Sequence, residues 1–213
     1  MADINTLRNA LVPHSSRLPL RIALIVVGSI VSAYGITLAI HAGFGKATLA
    51  VLWEGISVFF GVSLGMASFL VAVAMILFAL AFDRKQIAFG TLLYQVVYSP
   101  CIDLFANVHT YFNMLAPDFV LMVLGIALFA IGTGVYAAAD SGRGSYEAMN
   151  FAISRITGRS IRGVRMALDA GVVIVGVLLG GTFGVCTICT IFISGPIIQK
   201  SIEVTKKLLK LDM

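Results

Sequence analysis

Six apolar runs dominate this 213-residue chain, and the basic residues fall between them in a pattern that limits how it can fold. The runs cover residues 21–40, 64–82, 87–105, 119–139, 161–179 and 185–199. A bilayer core about 30 Å thick is crossed by about 20 helical residues, so each run reads as a spanning helix, the last two at the short end. Only 12% of residues are charged and 59% are hydrophobic. A water-soluble domain of this size could not bury that much apolar surface, which excludes a lone soluble enzyme, a disordered chain and a disulfide scaffold.

The positive-inside rule sets the orientation. With the N-terminus inside, Arg8, Arg17 and Arg21 share one side with Arg84, Lys85, Arg143, Arg155, Arg159, Arg162 and Arg165. The lysines after residue 199 join them, and only Lys46 falls on the far side. Both termini are therefore expected in the cytoplasm. The expected organisation is a cytoplasmic segment 1–20, a first three-span unit 21–105, an external connection 106–118, a second three-span unit 119–199 and an amphipathic cytoplasmic tail 200–213. A net charge of +5 on such a chain needs no nucleic acid to explain it.

Two shorter stretches, Ala47 to Phe60 and Ser145 to Ile156, sit between spans and are too short to cross. They read as amphipathic or re-entrant helices. The second puts Tyr146, Met149, Ile153 and Ile156 on one face, with Ser145 as a candidate cap and Glu147 suited to the first turn.

The halves resemble one another. Tyr34-Gly35 through Gly45 aligns with Thr133-Gly134 through Gly144, Ser57, Gly61 and Ser63 align with Ser154, Gly158 and Ser160, and Ser99-Pro100 aligns with Gly195-Pro196. Three spans per copy is an odd number, so the second copy enters from the opposite side. The expected fold class is thus an all-α integral membrane protein of six helices in two inverted three-helix repeats, each with an extra short helix. Inverted repeats are a transporter architecture, because a pseudo-two-fold axis in the membrane plane makes two access states similar. The alternative is that duplication built only a stable bundle serving as a scaffold or partner-binding protein.

Several residues are candidates for a solute or ion pathway. Asp169 stands inside the fifth run with Arg165 four residues earlier, so both share a helix face; an ionisable pair in a span marks a pathway or fastens the helix near the interface. The loop Asp140-Ser141-Gly142-Arg143-Gly144-Ser145 leads into the second short helix, whose start offers unpaired N–H groups to an anion, or is simply a capped turn. Glu147 follows it. His41, aligned with Asp140, and Asp103 sit toward the far side. Arg155, Arg159, Arg162 and Arg165 read as a solvated inner face or as an anion-attracting vestibule. Pro100 and Pro196 interrupt spans three and six at matching places, where a kink or hinge is expected.

Cys186-x-x-Cys189 lies on an apolar helix and reads as packing. Gly61-x-x-x-Gly65 and Gly176-x-x-x-Gly180 allow close helix approach, within one chain or in a homodimer. No nucleophile–base pair, metal-ligand spacing or phosphate loop stands out. No catalytic residue, metal or cofactor is expected, and an enzyme is the weaker class.

The second half resembles the YczE/YyaS/YitT group of bacterial multi-pass membrane proteins, closest to the YczE-like branch. The residues that carry this are Gly132-Thr133-Gly134-Val135-Tyr136, Ala139 through Gly144, Ser154 through Ser160, Val164-Arg165, Asp169, Leu178 through Gly184, and Gly195-Pro196. The resemblance implies a bacterial inner-membrane location and a six-span repeat, and no substrate. Taken together, these features make the expected partners the lipid bilayer and a small solute of unstated chemistry.

Overall fold

A computed structural model of the protein describes residues 17–106 and 118–209. Most of the connection expected to be external and most of the N-terminal segment, including Arg8, lie outside the described residues. The described residues form eight α-helices and no strand: α1 Leu18–His41, α2 Thr48–Phe60, α3 Leu64–Phe82, α4 Phe89–Ala106, α5 Asp118–Ala138, α6 Ser145–Thr157, α7 Ile161–Leu178 and α8 Val185–Leu209. A long, short, long, long order thus occurs twice.

Local chemistry repeats with it. Gly61 and Gly158 end the short helices in the left-handed conformation, at φ 66° and 67°, where a side chain on any other residue would be strained. Ser57 Oγ donates to the Val62 carbonyl at 2.7 Å, and Ser154 Oγ to the Arg159 carbonyl at the same distance. Ser63 and Ser160 then cap α3 and α7 by accepting from Met66 N–H and Gly163 N–H.

The centre of the molecule is the α1–α5 pair. Gly28 faces Gly132 and Gly35 faces Gly125, each glycine so close that a Cβ would collide with the other's backbone. Rising numbers on α1 meet falling numbers on α5, so the two helices run antiparallel. Small residues at such a seam permit the close backbone approach that holds helices together where water exclusion contributes little. Around this pair α1 lies on α4 as α5 lies on α8, each within its own half, and the short helices cross over, α2 onto α7 and α6 onto α3. Gly65 packs on the Ser99 carbonyl and Gly176 on α2, so both glycine motifs serve contacts inside the chain.

Four helices, α1, α3, α5 and α8, are long and apolar enough to cross a membrane. The 18-residue α4 and α7 are diluted by Tyr94, Gln95, Tyr98, Ser99 and Asp103 in one, and by Arg162, Arg165 and Asp169 in the other.

Four expectations change. The tail is not separate: α8 runs unbroken for 25 residues, because no glycine or proline follows Pro196 and Lys, Glu and Leu propagate a helix. Its far end is held where Ser201 Oγ donates to the Ile131 carbonyl and Arg17 donates to the Leu209 carbonyl. Pro100 and Pro196 do not divide their helices, which continue through both. Ser145 does not cap α6: Gly144 occupies the cap with no side-chain bond, and Ser145 is the first helical residue. On α6, the small Ala148 and Ala152 are buried while Ile156 is exposed, since only small residues let α6 lie close to α3.

Candidate functional site

A cavity of about 630 Å³ lies between the two halves. Its walls come from positions about 97 residues apart, so Thr133 answers to Ile36 and not, as the sequence anchors had it, to Tyr34. Ile36 and Thr133 face it from α1 and α5, Ala47 to Ala50 and Gly144 to Glu147 from the starts of α2 and α6, and Tyr94, Gln95 and Tyr98 from α4 opposite Thr190, Ile191 and Ser194 from α8. One wall has no counterpart: Arg162, Arg165, Met166 and Asp169 of α7 line the cavity, whereas α3 lies outside it.

The floor is aromatic. The rings of Tyr94 and Tyr98 stack at 5.0 Å, Tyr94 and Tyr136 stack at 4.2 Å, and Trp53 meets Tyr98 edge-on at 6.0 Å. Trp53 is 6% exposed and Tyr98 2%, yet neither Trp53 Nε1 nor the Tyr98 hydroxyl has a hydrogen-bond partner. An unpaired buried polar group costs about 1–3 kcal/mol, and both atoms are closed off even from the cavity that their rings line. The neighbouring hydroxyls are already engaged: Thr133 donates to the Phe129 carbonyl, Thr190 to Cys186 and Ser194 to Thr190.

The α7 wall is charged. Asp169 Oδ1 accepts a 2.6 Å hydrogen bond from the Tyr146 hydroxyl, and the Arg165 guanidinium stands 5.9 Å from the centre of the same ring. Among the described residues the ion pairs are Lys46–Glu54 and Arg155–Asp83. Asp169 and Arg165 therefore share a face, as their spacing requires, without pairing; Tyr146 stands between them. Burial, then the bond to Asp169, pushes the Tyr146 phenol above its ordinary pKa, so it is a donor at neutral pH. Glu147 turns its carboxylate back against Gly144 at the start of α6, where the helix dipole favours a negative charge.

The cavity therefore gathers Asp169, Arg165, Gly144, Ser145 and Glu147 from the sequence candidates. The others lie elsewhere. Asp103 ties α4 to the start of α3, accepting from Ser63 Oγ at 2.6 Å and Gly65 N–H at 2.7 Å. Asp140, at φ 49°, is a turn residue whose carbonyl accepts from Arg21. The Gly142 carbonyl accepts from the Tyr136 hydroxyl in that turn. His41 ends α1 on the surface, and both prolines are exposed on their helices. Arg155, Arg159, Arg162 and Arg165 are all exposed, and Arg155 also pairs with the buried Asp83 at 2.9 Å. Sequence reasoning missed Tyr94, Gln95 and Tyr98, although two tyrosines and a glutamine within four residues of a span were a visible signal. Trp53 of the first short stretch joins them on the lining.

Two clasps bracket the cavity. Glu54 of α2 reaches the α7–α8 turn, accepting from Thr182 N–H and Oγ at 2.7 Å each, and pairs with Lys46 at 2.6 Å. Arg155 of α6 reaches the α3–α4 turn at Asp83. The short helix of each half thus grips the corresponding turn of the other.

The family described as "Family of unknown function (DUF6198)" matches residues 19–202. The chain belongs to this family. It is 28% identical to the uncharacterized membrane protein YczE of Bacillus subtilis, over 90% of each chain. It is 29% identical to an uncharacterized protein of Haemophilus influenzae, covering 80% of this chain and 78% of that one. It is 21% identical to the uncharacterized protein YyaS of Bacillus subtilis, covering 85% and 92%. No solved structure matches. The resemblance drawn from the second half is met by both Bacillus relatives, and with its apolar helices this family member is a membrane protein.

Proposed function

We propose that the protein is a small-solute transporter of the bacterial inner membrane. It is a carrier and not an enzyme, with α1, α3, α4, α5, α7 and α8 as six spans in two inverted repeats and both termini in the cytoplasm. Alternating access proceeds by exchange of packing between the halves. The observation that carries this reading is the cavity, set between matching positions of the two halves and lined on one side by α7 and α8, which scarcely pack on each other. On the first seam Ser68 Oγ meets Ser99 Oγ at 2.8 Å and Asp103 holds the start of α3. On the second, α7 and α8 scarcely touch, and the cavity fills the gap. The antiparallel α1–α5 pair supports the inverted relation, and the 14 basic residues on one side support the orientation. In this reading the second seam faces the cytoplasm, and the first is the closed outer gate.

The test is uptake into liposomes, with solutes chosen by thermal stabilisation across a metabolite panel. In a background with Cys101, Cys186 and Cys189 replaced by alanine, the pair S68C and S99C is then oxidised. A disulfide there is expected to stop uptake and its reduction to restore it. Uptake that persists through the disulfide overturns alternating access at this seam. A panel with neither a stabiliser nor flux favours the scaffold.

A further inference from the structure

Resting on the transporter reading, we infer that the cavity takes a zwitterionic amino acid with an aromatic side chain. The carboxylate meets Arg165, the ammonium meets Asp169, and the ring lies on the Trp53–Tyr98–Tyr94 floor. Opposite charges four residues apart on one helix normally neutralise each other. Here the Tyr146 hydroxyl takes the Asp169 oxygen and its ring lies near Arg165, so both charges remain on offer to a guest. Arg162, one turn along α7 on the same wall, adds positive charge and has no hydrogen bond or ion pair among the described residues. Glu147 and Asp169 balance Arg162 and Arg165 on the lining, so a guest of either single charge would face two like charges.

The aromatic floor selects the body of the guest. Offset and edge-on ring contacts are favoured over aliphatic ones on such a surface, and the volume suits a small molecule that is largely enclosed. Tyrosine has the two charges and the aromatic ring that this lining requires.

Trp53 is the chain's only tryptophan, so its fluorescence reports from the cavity itself. The full-length protein in detergent is titrated with tyrosine, tyramine, 3-(4-hydroxyphenyl)propionate and alanine. Tyrosine is expected to bind about tenfold or more tightly than each of the other three, as loss of one desolvated charge contact costs at least 1.4 kcal/mol. Asp169→Asn is expected to erase the preference over the propionate, and Arg165→Gln the preference over tyramine. Each variant is first required to unfold within a few degrees of the parent. For a variant that does not, Tyr146→Phe stands in: Asp169 is released to pair with Arg165, and all three aromatic ligands weaken together.

Tyramine or the propionate binding as tightly as tyrosine overturns the zwitterion. Alanine binding equally well overturns the aromatic floor. If none of the four perturbs Trp53 while another solute enters liposomes, the inference fails and the transporter stands. If no solute enters at all, both fail.

Discussion

The two seams of this molecule are built from matching positions and differ in almost every contact. At the first, between α3 and α4, small and acidic side chains zip the helices: Ser68 to Ser99, and Asp103 to Ser63 and to the Gly65 amide. At the second, between α7 and α8, the residues matching Gly65, Ser68 and Ser99 are Arg162, Arg165 and Gly195. A Cβ built on Gly195 would meet nothing within 4 Å, whereas one on Gly65 would strike the Ser99 carbonyl. Two guanidiniums cannot enter a seam without leaving water, so the second stays apart and a cavity fills it. Two helix pairs in the same chain order thus hold different packings, and a few side chains decide which seam carries which.

The largest effect comes from exchanging those side chains. Ser68 is fully buried, so S68R places an unpaired charge inside the first seam and is expected to destabilise the protein by about 3 kcal/mol or more. R165S at the exposed matching position is expected to move stability by no more than about 0.5 kcal/mol. Thermal unfolding in mild detergent compares the two. Equal losses would mean that the seams do not differ as described.

A smaller effect sharpens the comparison without wrecking the fold. D103N keeps the size of the side chain but removes the charge from two short hydrogen bonds, at a cost of about 1–2 kcal/mol. It is expected to loosen the first seam specifically. Cys101, two residues away and half-buried, is then labelled faster by a small thiol reagent. Cys186, buried against Leu38 and Met122 in another cluster, is labelled as before. Faster labelling at both cysteines would indicate general unfolding rather than an opened seam.

How far the sequence reached depends on what carried the signal. Helix positions followed hydrophobic run lengths and turn glycines, so α3 and α7 match their expected spans to within one residue and α2 and α6 lie where the short segments were read. Of the anchors that suggested a repeat, the Gly61/Gly158 and Ser57/Ser154 pairs do the same local job at the ends of α2 and α6. The site was half legible. Asp169 and Arg165 stand out because charge in a span is costly. Their relation to Tyr146 could not be read from spacing, which brings two residues to one face but does not say what comes between them. The aromatic floor depends on Trp53 of α2 reaching Tyr98 of α4, 45 residues along the chain, a tertiary fact. The same polar residues that build the cavity lower the hydropathy of α4 and α7, so the most functional helices carry the weakest spanning signal. Asp103 misled for the opposite reason: it is costly because it zips a seam, not because it meets a solute.

The two clasps offer the finest comparison. Arg155 holds a carboxylate that is 5% exposed, whereas Lys46 and Thr182 hold one that is 18% exposed. Burial alone would raise the Glu54 pKa. The bonds from Lys46 and Thr182 outweigh it and leave the carboxyl below the usual glutamate range. The folded state therefore favours the ionised form. Its contribution is complete above the unfolded-state value of about 4.3 and is lost as the pH falls through the lower folded value. E54Q is expected to cost about 1 kcal/mol at neutral pH, modest because the group is partly hydrated. The gap between variant and parent should close on acidification below about pH 4. Melting temperatures of both proteins across that range measure it. A gap that stays constant to pH 3 would mean that Glu54 holds the turn by shape and neutral hydrogen bonds, and that its charge contributes nothing to the clasp.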